Sequence, residues 1–102
     1  MFDIRVDSNA LQDIQDATDW YNEHSPGLGS LFLKQVKNQI NSLKSRPFVY
    51  PVRYSEVRCM LIKKFPFIVH FTITENTVEV FAVFHTSRNP KIWKQRNDNL
   101  GH

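Results

Sequence analysis

Hydrophobic positions change their period once along this chain. At the N-terminus Phe2, Ile4 and Val6 alternate with Asp3 and Arg5, the period-two pattern of a half-buried strand. Ser8 then offers an N-cap, and Ala10, Ile14, Ala17 and Tyr21 recur at helical spacing, with Leu11 and Trp20 widening the apolar stripe. Asp13, Asp16 and Asp19 fall between the apolar positions and are expected to face water. The breaker cluster His24–Gly29, "HSPGLG", ends that helix. A second helix is predicted from Leu28 to Ser45, burying Phe32, Val36, Ile40 and Leu43, and Arg46-Pro47 closes it because a residue before proline avoids the helical region. So short a loop between two helices predicts an antiparallel hairpin.

From Pro51 onward the pattern is that of strands. Val57–Phe65, Phe67–Thr74 and Thr77–His85 are rich in Val, Ile, Phe and Thr, and are divided by Pro66 and by the turn Glu75-Asn76. Connections this short predict antiparallel neighbours. The last run is apolar on both faces from Phe81 to Phe84 and reads as the central strand; Asn89-Pro90 then starts a short helix carrying Ile92 and Trp93. The order β-α-α-β-β-β defines an α+β class: an N-terminal strand, a helical hairpin, a three-stranded antiparallel meander and a short C-terminal helix.

With 102 residues the chain is long enough for one modest core, and 41% hydrophobic with 23% charged residues is an ordinary folded composition. No stretch approaches the roughly 18 apolar residues of a membrane span, and the opening "MFDIRVDSNA" lacks the basic and apolar regions of a secretory signal. The lone Cys59 has no internal disulfide partner, which fits a cytoplasmic location, and its apolar setting suits a core residue. Charge is divided unevenly: residues 1–43 carry three basic and six acidic side chains, residues 44–102 ten and four. That division implies a basic surface for nucleic acid or an acidic protein.

Chemistry gathers where the strands end. Metal-free RNA cleavage needs proton transfer and a cation on the phosphoryl oxygens; His85 as acid or base, with Arg58 and Arg88 on the phosphate, would supply the minimum. Lys63 and Lys64 could hold a backbone by charge, and Trp93 stands beside Lys91, Lys94 and Arg96 either to cap the sheet or to meet a partner. His70 interrupts an apolar strand and is expected to be partly buried and hydrogen-bonded. The four histidines have no metal-binding spacing and the three glycines form no phosphate loop, so neither a metal nor another cofactor is expected.

The stretch "WYNEHSPGLGSLFLKQV" followed by "VRCMLIKKFPFIVHFTITENTVEVFAVFHTSRNPKIW" resembles the RelE/ParE superfamily of bacterial toxins from type II toxin–antitoxin pairs, including plasmid stabilisation proteins. The likeness spans Phe2 to Arg96; its marks are Phe65-Pro66-Phe67, Ala82, His85 and Arg88. It implies one toxin domain over residues 1–96, a polar tail over 97–102, and growth inhibition through a macromolecular target. RelE-like members are ribosome-dependent mRNA endoribonucleases (mRNA interferases), which here would use His85 with Arg58 and Arg88; ParE-like members poison DNA gyrase. Ile68 stands near the place of a RelE-type catalytic arginine, and Tyr50 and Tyr54 precede the core strands where some nucleases have a C-terminal tyrosine, which favours the gyrase branch. A third possibility is an inactive member that only binds. Lys63, Lys64, Lys91, Lys94 and Arg96 would contact the target or nucleic acid. The resemblance also implies a cognate antitoxin whose acidic, amphipathic C-terminal segment folds onto the toxin, with Phe48, Tyr50 and Trp93 as contacts.

Overall fold

The computed structural model describes residues 1–98. The chain runs β1 (Asp3–Val6), α1 (Ser8–His24), α2 (Leu28–Ser42), a 3-10 turn (Pro47–Val49), β2 (Val52–Tyr54), β3 (Val57–Leu61), β4 (Phe67–Thr74), β5 (Thr77–His85) and α3 (Pro90–Asp98). This is the α+β order expected, with β2 added as a short edge strand before the meander. The five strands form one sheet in the order β1-β5-β4-β3-β2. The long excursion through the hairpin lets β1 lie parallel to β5, while every other pairing is antiparallel. β5 is therefore interior, but β4 is the middle strand.

Local chemistry moves several expected boundaries. Asp7, not Ser8, caps α1: its backbone is extended and its carboxylate accepts the Ala10 N–H at 2.8 Å. α2 stops at Ser42 because Leu43, Lys44 and Ser45 tighten into i→i−3 bonds, and the Lys44 carbonyl is taken by the Phe2 N–H at 2.8 Å. β3 stops at Leu61, and Lys64, with φ at 72°, turns the chain into β4. Leu11 and Trp20 do not widen the buried stripe; they are 56% and 55% exposed, since each lies one residue, about 100° of helix, off it. α3 continues through Asp98 and buries Asn97, and residues 99–102 of the expected tail lie outside the described residues.

The hairpin covers one face of the sheet. Ile14, Tyr21, Phe32, Val36 and Leu43 meet Val69, Phe71 and Val80 there. The "FPF" segment closes this core, with Phe65 and Phe67 each edge-on to Tyr21 and Phe32 at ring separations of 5.0–6.0 Å. At Gly29 the helices come so close that a Cβ would collide with the Thr18 carbonyl oxygen and the Asn22 side chain. α3 covers the second face, where Ile92 and Trp93 pack on Cys59, Phe81 and Phe84. Being covered on both sides is what requires the doubly apolar β5. Among the described residues no helix is long and apolar enough to cross a membrane.

Candidate functional cleft

One irregularity decides which way His85 faces. Phe71 pairs with Val80 but His70 pairs with Ala82, so Phe81 is an extra residue in β5, a β-bulge. Before the bulge Val78 and Val80 face the hairpin; after it Val83 does, while Ala82 and Phe84 face α3. His85 thereby joins Val83 on the α1 side, its ring edge-on to Phe67 at 5.2 Å.

There a cleft of about 480 Å³ opens between α1 and the end of the sheet. Ala17, Trp20 and Tyr21 form one wall and Pro66, Phe67 and Val83 the other, with Asp13, Asp16, His85 and Arg88 as its polar residues. The Ser87 N–H donates to His85 Nδ1 at 3.0 Å and the Ser87 hydroxyl lies 2.8 Å from the same atom. A backbone N–H can only donate, so in the neutral ring the proton sits on Nε2, leaving an N–H donor for a ligand. Arg88 lays its guanidinium 5.0 Å from the centre of the Phe84 ring, and Arg96 lies 4.8 Å from the same ring. Among the described residues the ion pairs are Arg5–Glu79 and Arg96–Asp13, so Arg88 has no carboxylate partner there.

Asp13 does not face water as expected. Its carboxylate takes two bonds from Arg96, at 3.0 and 3.1 Å, and accepts the Val83 N–H at 3.0 Å. Helical spacing held the signal: Asp13 follows Ala10 by three residues and precedes Ala17 by four, on the flank of the buried stripe. Asp16 is exposed and accepts a bond from Gln12 at 2.7 Å; Trp20 stacks on His24 at 3.9 Å.

The other candidate residues are dispersed. Arg58 is not brought to His85: it donates to the Tyr50 carbonyl at 2.6 Å and covers the Phe48 ring at 5.0 Å. Lys63 and Lys64 are exposed on the β3–β4 turn, and Lys91 and Lys94 are exposed on α3. Arg96 is not a free surface cation, because Asp13 and the Phe81 carbonyl, 3.0 Å away, already hold it. Phe48 is 59% exposed, whereas Tyr50 packs edge-on to Phe71 and Trp93 on His70.

His70 is more deeply placed than expected, fully buried beneath α3. Its Nδ1 lies 3.0 Å from the Tyr54 hydroxyl and 3.5 Å from Cys59 Sγ, while Nε2 has no partner among the described residues. Burial first, then Arg53 and Arg96, bring its pKa down to about 4, so it is neutral at pH 7. Burial likewise raises the Cys59 thiol to about 11 and pushes Tyr54 up. Among the described residues no three His, Cys, Asp or Glu side chains converge to hold a metal ion.

Comparison with known structures places this architecture. The chromosomal ParDE toxin–antitoxin system of P. aeruginosa contains a chain that superposes with a TM-score of 0.74 at 17% identity, covering 83% of this chain and 96% of that one. A chain of the intact E. coli RelBE toxin–antitoxin complex gives 0.65 at 15% identity, covering 86% and 100%. The isolated E. coli RelE toxin gives 0.64 at 13% identity, covering 98% and 99%. At such identities the likeness establishes the fold. Comparison with curated protein sequences returned no match. The family model for the ParE toxin of type II toxin–antitoxin systems, parDE, matches residues 4–90, and on that match the chain belongs to the ParE toxin family.

Proposed function

We propose that this protein inhibits growth by acting on a protein target, DNA gyrase, and is silenced by a cognate antitoxin. The observation that carries a protein target over RNA is the mixed charge of the cleft. Arg88 and His85 stand at one end, but Asp16 lines the opposite wall, and Asp19 and Glu23 continue the acidic surface of α1. A polyphosphate strand entering here would meet Asp16 and Asp19, which no cation neutralises among the described residues, whereas a polypeptide carries few charges and can place them. The separation of Arg58 from His85 points the same way, because the nuclease reading needs both on one phosphate.

For the antitoxin, an apolar groove of about 390 Å³ runs between β1 and the hairpin, through Val6, Leu11, Leu33 and Ile40, with Lys37 and Lys44 among its lining. An amphipathic acidic segment suits it, burying its apolar side and pairing with the lysines. Phe48 offers a further apolar contact.

The test is a pair of cell-free assays with purified protein. Inhibition of gyrase supercoiling with messages left intact is the expected result. Ribosome-dependent mRNA cleavage with supercoiling unaffected would replace this reading with the RelE-like one. Induction of the gene alone in a sensitive host is expected to stop growth; normal growth with folded protein present would leave only a binding role.

A further inference from the structure

The cleft runs along an unfinished strand edge. β1 pairs with β5 only from Thr77 to Val80, yet β5 continues to His85. Among the described residues, 81–85 therefore have no strand beside them on the β1 side. Two of the edge groups are satisfied by side chains: Val83 N–H by Asp13, and the Phe81 carbonyl by Arg96. Thr86 N–H bonds inward to the Pro66 carbonyl at 2.8 Å, so by alternation the Val83 carbonyl and the His85 N–H point away from β4, at the sheet edge of two residues that line the cleft. An unpaired edge on a rigid sheet is a template for another strand.

We infer that the cleft takes an extended segment of the target protein by strand addition to β5 at Val83 and His85. This rests on the protein-target reading above and specifies how that target is held. The segment's backbone would accept from His85 N–H and donate to the Val83 carbonyl. One apolar side chain would enter between Ala17, Tyr21 and Phe67, and a neighbouring carboxylate would reach Arg88 and the Nε2–H of His85. At about 3.3 Å per residue the open edge holds three or four residues. Nucleic acid has no backbone amide to pair with a strand edge, and Asp16 opposes its phosphates.

The experiment uses the isotope-labelled full chain with overlapping synthetic peptides that tile both gyrase subunits, read by amide chemical shifts and amide exchange. A supercoiling assay with intact gyrase is run on the same preparation. The expected result is that a tile with an acidic residue next to an apolar one shifts the Val83 and His85 amides and slows exchange at His85. Arg88→Glu should weaken that tile about tenfold or more, the loss of a charge-assisted hydrogen bond. If gyrase is inhibited but no tile shifts these amides, or tiles act elsewhere, strand addition is overturned while the target reading stands. If gyrase is neither bound nor inhibited, both fall. If an oligouridine shifts the same amides and the tiles do not, the site is one for nucleic acid and the proposal is wrong.

Discussion

Asp13 on α1 and Arg96 on α3 meet through two hydrogen bonds, of 3.0 and 3.1 Å, across the unpaired edge of β5. The pair does the work of a strand there, since Asp13 also accepts Val83 N–H and Arg96 also donates to the Phe81 carbonyl. It joins the helices on opposite faces of the sheet. Removing one member leaves a charge with about one-fifth of its side chain exposed and a backbone group unpaired. Asp13→Ala is expected to lower unfolding free energy by about 2–4 kcal/mol. Urea denaturation of both single variants and the double variant checks this: coupling below about 0.5 kcal/mol would mean the two act independently.

His70 makes stability depend on pH. Its pKa falls from about 6.5 in the unfolded chain to about 4 in the fold, so between those values the unfolded state binds more protons. The contribution is complete above pH 6.5 and is lost as pH falls towards 4. The size is up to about 3 kcal/mol, because each pKa unit is worth about 1.4 kcal/mol. Denaturation at pH 7 and pH 4.5 should show the loss, and His70→Gln should flatten it. An unchanged slope in that variant would assign the acid sensitivity to carboxylates instead.

Gly29 tests the hairpin crossing. Its N–H donates to Asn22 Oδ1 at 2.8 Å, and an added Cβ would strike the Thr18 carbonyl oxygen, which belongs to the backbone of α1 and cannot swing away. Gly29→Ala would gain helix propensity of up to about 1 kcal/mol in open solvent. Here it is expected to lose about 1–3 kcal/mol through overpacking, measured by urea midpoint. A stabilised variant would show that the helices separate freely.

The hairpin, the meander and the C-terminal helix were legible because each follows its own local period. What lay outside that grammar was of longer range. The parallel pairing of β1 joins Ile4 to Val78, and the Asp13–Arg96 pair spans 83 positions, so neither leaves a local pattern. The bulge at Phe81 was silent for another reason: a strand apolar on both faces shows no break when its alternation resets. His85 and Arg88 were visible as polar residues closing an apolar run. Asp16 and Trp20 were not, because the cleft's second wall is the outer flank of α1, where a helix stripe carries no sign of what stands opposite.

That second wall gives the sharpest separation of function from folding. Trp20 is 55% exposed and stacks on His24, another surface residue, so its removal opens no cavity in the core. Arg88 is exposed and without a carboxylate partner among the described residues, and the hydrogen bonds of the His85 ring there stay within its own turn, to Ser87. Trp20→Ala, His85→Ala and Arg88→Ala are each expected to stay within about 1 kcal/mol of the parent in unfolding free energy. All three should weaken growth arrest on induction, with Arg88→Ala losing more than Arg88→Lys because a planar fork holds a carboxylate better than a point charge. Growth curves beside urea melts decide the matter. Full toxicity in all three variants would remove the cleft from the mechanism, and a large loss of stability in any one would make that residue part of the fold instead.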